Sequence, residues 1–247
     1  MLKPAITSPL TKQEIKGIIQ YVSHHIGYVP IKVPTVIFAS SAKKYANLFE
    51  NYETRSKELN QEKIAEINSK TAAFFDHLKD NVVFQGFSYR DGTEIDTFVI
   101  PMSTIVHEFI HFFQYATGTF GSYKIMYEGT NDILSCMLAD DPSIDYKEEA
   151  VYAMGLAMEI NEHDFFRAIQ WMKTFTTHSD KNSFVHRSIK QCAAFSKYDP
   201  RRLMRLLENN RLDKIENEET RLILKRYNIQ RIVKLIRAGH KIIHGTI

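Results

Sequence analysis

The chain of 247 residues is poor in cysteine, with only Cys136 and Cys192. Both sit in apolar, helix-like surroundings without CxxC spacing, which excludes a disulfide framework and a zinc ribbon. Unpaired thiols of this kind suit a reducing compartment. No run is long and apolar enough to span a membrane. The opening stretch MLKPAITSPLTKQE lacks the apolar core of a secretory signal. The expectation is therefore a cytoplasmic chain, with signal-independent export left open. No repeat, low-complexity segment or obvious linker interrupts the sequence. Net charge is only +3, apolar residues make up 44% and charged residues 25%. These values are ordinary for a globular protein and select no function. The length is enough for a sizeable core, in one domain or two closely packed subdomains.

The front of the chain mixes helix and strand. Thr11-Lys-Gln-Glu14 is a capping box, opening a helix with apolar Ile15, Ile18, Ile19 and Val22. VPTVIFAS, residues 33–40, reads as a strand between Pro30 or Pro34 and the Ser40-Ser41 pair. Residues 42–78 read as charged and helix-forming, with Ala72, Phe74, Phe75 and Leu78 as the buried stripe. NVVFQGFSYR then reads as a strand, Asp91-Gly92 as a turn, and EIDTFVIP, residues 94–101, as a strand closed by Pro101. Ser103 or Thr104 is placed to cap the next helix, and Gly118 and Gly121 to end it. A further helix runs from after Tyr123 to about Leu138, and Asp140-Asp-Pro-Ser breaks the chain. The rest reads as helices over 146–160, 163–175, 183–195, 200–209 and 216–244, with a break near Asn228. The fold class expected is α+β, with a small sheet followed by a mostly helical C-terminal half.

The helix after Pro101 is apolar on nearly every side, with Ile105, Val106, Phe109, Ile110, Phe112 and Phe113. Such a helix is normally buried. Yet it contains HEFIH, residues 107–111, whose polar groups are costly to bury without partners. His107 and His111 are four apart and share one helical face. Two neutral imidazoles so placed can hold one zinc ion. Glu108 falls beside that ion, where a general base takes a proton from water. A third ligand is offered by Glu128 on the next helix. Asp132, one turn on, is spaced to receive the outer N–H of a zinc-bound histidine. The bland alternative is a core histidine pair satisfied within a structural helix.

HEFIH followed by Glu128 and Asp132 resembles the gluzincin zinc metallopeptidases, the group of thermolysin-like enzymes and shorter minigluzincins. The resemblance covers roughly residues 81–135. It implies zinc bound by His107, His111 and Glu128, with Glu108 as general base and proton donor and Asp132 as the partner of His107. It implies a zincin-like fold, with a twisted sheet over the active-site helix and an edge strand pairing with peptide or protein substrate; EIDTFVIP is the candidate edge. On that reading residues 1–117 form an α/β upper subdomain carrying HExxH, and 118–247 a helical lower subdomain carrying the third ligand. No stretch matches by motif the group's oxyanion-stabilising Tyr or His; Tyr127, Tyr146 and Tyr152 are candidates by proximity. No aminopeptidase-type GxMEN stretch is present.

Other features read more plainly. His24-His25 is a helix-end or loop pair. His240 and His244 share a helical face but no acid lies near them in sequence, so a surface or helix C-terminal role is expected. Asp140-Asp141 reads as a helix N-cap before Pro142 rather than a calcium site. The segment from Arg221 to the end carries Arg221, Lys225, Arg226, Arg231, Lys234, Arg237 and Lys241 without an acid. Its amphipathic helix is expected to pack through Ile229, Ile232, Val233 and Ile236, leaving a solvated basic face. An anionic partner, nucleic acid or membrane, is the alternative for that face. The leading functional expectation is a zinc metallopeptidase. The alternative is a catalytically inactive binding protein on a zincin scaffold, engaging a partner through its helical C-terminal half.

Overall fold

The computed structural model describes residues 2–53, 59–90, 93–95, 97–118, 123–209 and 211–243. The fold is α+β and mostly helical, with eleven α-helices among the described residues. A two-residue strand β1 (Ala5–Ile6) precedes helix α1 (Lys12–Ile26). The capping box of α1 is formed: Glu14 N donates to the Thr11 hydroxyl, and Thr11 N donates to the Glu14 carboxylate at 2.8 Å. Gly27, in the left-handed region at φ 81°, closes the helix, where His24 and His25 lie in its last turn.

A three-stranded sheet follows. Strand β2 (Thr35–Ala39) leads into α2 (Ala42–Glu53) and α3 (Gln61–Lys70). The chain then re-enters the sheet as β3 (Ala73–Asp76) and turns into β4 (Asn81–Gln85). The order is β2-β4-β3, with β2 parallel and β3 antiparallel to β4. The expected helix through residue 78 therefore stops at Lys70. The reason is alternation: Phe74 joins the small cluster under α2 and α3, whereas Phe75 joins the main core on the other face. Successive side chains pointing to opposite faces are the mark of a strand, not of a helical stripe. Leu78 is exposed.

The strand expected over 81–90 is broken at Gly86, and its second part is β5 (Ser88–Arg90), paired with β6 (Thr93–Ile95). Asp91-Gly92 lies outside the described residues. EIDTFVIP is not one strand. Its start belongs to β6, and its end is β7 (Ile100–Pro101), which pairs with β1. Long-range pairing with the N-terminal segment decides this, and local alternation does not show it.

Helix α4 (Met102–Thr117) runs through the middle of the main core, with Ile105, Val106, Phe109, Ile110, Phe112 and Phe113 all fully buried. It packs on α1, on β3, on α5 (Lys124–Ala139) and on α7 (Phe165–Thr177). Neither Ser103 nor Thr104 caps it. Pro101 occupies the cap position, and the Ser103 hydroxyl donates to Asp141 Oδ2 at 2.7 Å. Gly118 follows the last residue, and Gly121 lies outside the described residues. The buried Lys181 ammonium donates to Thr117 Oγ1 at 3.1 Å and to the His178 carbonyl at 2.8 Å, placing a cation at the C-terminal ends of α4 and α7.

Asp140 is the left-handed C-cap of α5, and Asp141 accepts from Ser143 N at 3.0 Å, so neither is a helix N-cap. The next helix, α6 (Lys147–Ile160), begins only after Tyr146. It approaches α5 closely because Gly129 has no side chain: a Cβ there would fall 2.2 Å from the Glu149 carbonyl oxygen. The remaining helices are α8 (Lys181–Gln191), α9 (Pro200–Glu208), α10 (Glu218–Lys225) and α11 (Ile229–Ile243), the last two separated at Asn228. Helix α11 buries Ile232 and Ile236 against α5 and α6 and leaves Arg231, Lys234, Arg237 and Lys241 exposed. His240 is not a surface residue. It is buried, its Nδ1 donates to the Met137 carbonyl at 2.8 Å, and Asp140 lies 3.6 Å from its Nε2. His244 lies outside the described residues. No helix among the described residues is long and apolar enough to cross a membrane.

Seating α6 against Gly129 makes a clear prediction. Gly129→Ala must push α6 away or crowd the Glu149 carbonyl, and overpacking of this kind costs about 1–3 kcal/mol. Urea denaturation should show that loss. An unchanged midpoint would mean that α6 does not press on this turn of α5.

Candidate metal centre

Helices α4 and α5 bring the five residues singled out by spacing into one buried place. The imidazoles of His107 and His111 face each other, with Nε2 atoms 3.1 Å apart. Glu128 Oε2 lies 3.2 Å from each of those nitrogens. The three donor atoms are mutually close enough to hold one metal ion. Glu108, one residue past His107, is 7% exposed and its Oε2 is buried with no hydrogen-bond partner.

The outer nitrogens of the two rings are fixed differently. His107 Nδ1 donates to Asp132 Oδ1 at 3.0 Å, while Asp132 Oδ2 accepts from Tyr146 N at 2.5 Å. His111 Nδ1 donates to the Gln114 amide oxygen at 3.1 Å, and Gln114 Nε2 donates to Asn131 Oδ1 at 2.8 Å. Gln114 and Asn131 are both fully buried. With each Nδ1 carrying the proton, each Nε2 presents a lone pair. Two lone pairs and a carboxylate oxygen thus point at one spot, which is repulsive unless a proton or cation sits among them.

The electrostatics agree with that geometry. Burial alone would push His107 down, but the Asp132 and Glu128 carboxylates outweigh it and raise its pKa to about 10. Burial would raise Glu128, but the two histidines override it and hold this carboxyl well below the usual range. Glu108 moves the other way: burial raises its pKa despite the neighbouring imidazoles. Burial of an unpartnered carboxyl beside a cation-seeking cluster is the arrangement of a proton acceptor tuned upward.

Of the three tyrosines considered from sequence, the structure brings only Tyr146 to the site. Its ring stacks on His107, with centroids 5.6 Å apart and planes 17° apart. Tyr127 packs on Phe175 in the core, and Tyr152 is buried on α6. Sequence reasoning overlooked Tyr45 of α2. Its hydroxyl is fully buried without a partner, and its pKa is pushed up by burial and then by the Glu108 carboxylate nearby. Nothing local marked it, since α2 is far from HEFIH in the chain. Gln114 and Asn131 were also overlooked. Both had a signal, lying three residues past His111 and Glu128, on the same helical faces.

Comparison with protein-family models, with curated proteins and with solved structures gave no match for this chain.

Two outcomes test this centre. Removing either outer partner, by Gln114→Ala or Asp132→Ala, should weaken metal binding by about 10- to 100-fold in competition with a chelator; equal affinities would show that the outer hydrogen bonds do not orient the rings. The raised His107 means that the metal-free site holds a proton at neutral pH, which an entering ion must displace. Metal affinity should therefore fall as pH drops from about 8 to about 6, with protons released on binding that an indicator dye can count.

Proposed function

We propose that the chain is a zinc-dependent metallopeptidase of the gluzincin type with a zincin-like arrangement. The observation that carries this reading is the convergence of His107 Nε2, His111 Nε2 and Glu128 Oε2 on one point, with the unpartnered Glu108 carboxylate beside it. Ligand atoms about 2.0–2.1 Å from a tetrahedral ion lie about 3.3 Å from one another. The donor separations of 3.1–3.2 Å come close to that spacing, so the set suits a small ion such as zinc. Two imidazoles and one carboxylate are a zinc donor set that leaves a fourth position for water or substrate.

When bound, zinc would polarise a carbonyl group and lower the pKa of a water molecule. The remaining chemistry falls to the chain. Glu108 accepts a proton from water at its free Oε2 and returns it to the leaving amine. Its upward-shifted pKa makes it a better proton acceptor than an ordinary carboxylate. Asp132 and Gln114 keep the rings of His107 and His111 in the tautomer whose Nε2 is free. Tyr146 is the group best positioned to donate a hydrogen bond to a developing oxyanion.

The cleft supports the same reading. Strand β3 is an edge strand of the sheet, hydrogen-bonded to β4 on one side, and Ala73 lines the same two cavities as Glu108. An extended peptide can pair with such an edge. The substrate edge is thus assigned to β3 rather than to EIDTFVIP.

Glu108→Gln separates chemistry from metal binding. It should retain about one zinc per chain while hydrolysis of an unfolded protein falls by about 100-fold or more. Glu128→Ala and His111→Ala should lose both. Equal hydrolysis by Glu108→Gln and wild type would sink the mechanism. A zinc-bound wild type that holds peptides without cutting them would leave the inactive binding protein.

A further inference from the structure

Two cavities that share Glu108 in their walls differ in chemistry. The smaller, about 320 Å³, is walled by Phe49, Tyr52 and Phe74. Tyr52 stacks on Phe74 with centroids 5.6 Å apart, and Phe49 meets Phe74 edge-on at 5.3 Å. Its cation is Lys124, paired with Glu149 at 3.3 Å. The larger, about 570 Å³, is polar, and its acids are Glu108, Asp132 and Asp145. Its one lysine, Lys70, is held by Glu66 at 2.9 Å.

These three acids are not equivalent. Glu108 is the proton acceptor of the proposed reaction. Both oxygens of Asp132 are engaged, by His107 and by the Tyr146 backbone. Asp145, which no reaction step claims, has no hydrogen bond or ion pair among the described residues. Its place is nonetheless fixed, because the next residue is the Tyr146 whose N–H is tied to Asp132. Its carboxylate is exposed and lines the cavity. An unpaired carboxylate in the wall of a cavity favours a cation as guest.

We propose that the larger half of this cleft takes a lysine or arginine side chain of the substrate, with Asp145 as the specificity-determining residue. The proposal rests on the peptidase reading and adds to it the class of side chain recognised. The smaller half, walled by aromatic rings, takes an apolar side chain. Both halves have Glu108 in their walls, so the basic and apolar side chains flank the bond presented to it. The enzyme then selects basic–apolar junctions in an extended chain.

Mapping cleavage tests this directly. A denatured protein is digested with zinc-loaded wild type, Asp145→Asn and Asp145→Lys, and every cut is located by mass spectrometry. Alongside, zinc-loaded Glu108→Gln, with and without Asp145→Asn, is titrated with three peptides that differ by arginine, norleucine or glutamate at one position. Zinc content of each variant shows that its site is folded. Wild-type cuts should cluster beside lysine and arginine. The arginine peptide should bind Glu108→Gln about tenfold or more tighter than the norleucine peptide. Asp145→Asn should bring that ratio near one, and Asp145→Lys should move cuts toward acidic residues. Cuts without basic preference, or a preference that survives both Asp145 variants, would overturn the assignment and leave the peptidase reading standing. Zinc-loaded protein that neither cuts nor binds any peptide would overturn both.

Discussion

Two imidazole lone pairs and a carboxylate oxygen facing one another in an apolar interior need a shared positive charge. Most of the architecture around α4 follows from holding them there. The helix must be central enough to exclude competing water, which its ring of Ile and Phe side chains ensures. The second helix must approach so that Glu128 completes the group, and the outer ring nitrogens must be engaged so that the inner ones stay free. Asp132 serves one ring and the Gln114–Asn131 amide pair serves the other. One ring thus leans on a charge and the other on a neutral amide, so the two histidines differ as donors.

The parts of the site readable in sequence are those with helical periodicity. His107 and His111 are one turn apart, as are Glu128 and Asp132, and a helix converts that spacing into a shared face without help from the rest of the chain. The Thr11 capping box and the break at Asn228 were legible for the same local reason. What escaped depends on distant partners. Residues 73–76 look like the end of a helix until β4 pairs with them, and only then do Phe74 and Phe75 part to opposite faces. Ser103 looked like a cap but is drawn to Asp141 across the loop after α5. The buried place of His240 depends on α11 docking against the end of α5, which no spacing within α11 reveals.

The small sheet separates two apolar clusters, and the cleft opens where they meet. The cluster under α2 and α3 supplies the aromatic wall, and the main core supplies the metal-facing helices. Tyr45 belongs to the first cluster yet its hydroxyl feels the charge of Glu108 in the second. The two layers thus meet electrostatically at Glu108.

The open side of β3 has a meaning of its own when no guest occupies the cleft. A row of free backbone groups does not distinguish a peptide from a strand of another molecule, so it is also a seed for self-association. Its safeguards are written into the same few residues. The strand is only four residues long, Lys70 precedes it, and Lys79 and Asp80 follow. A foreign strand long enough to stack stably would have to run past those charges. An edge this short, with charges this close to its borders, is a poor seed for a fibre.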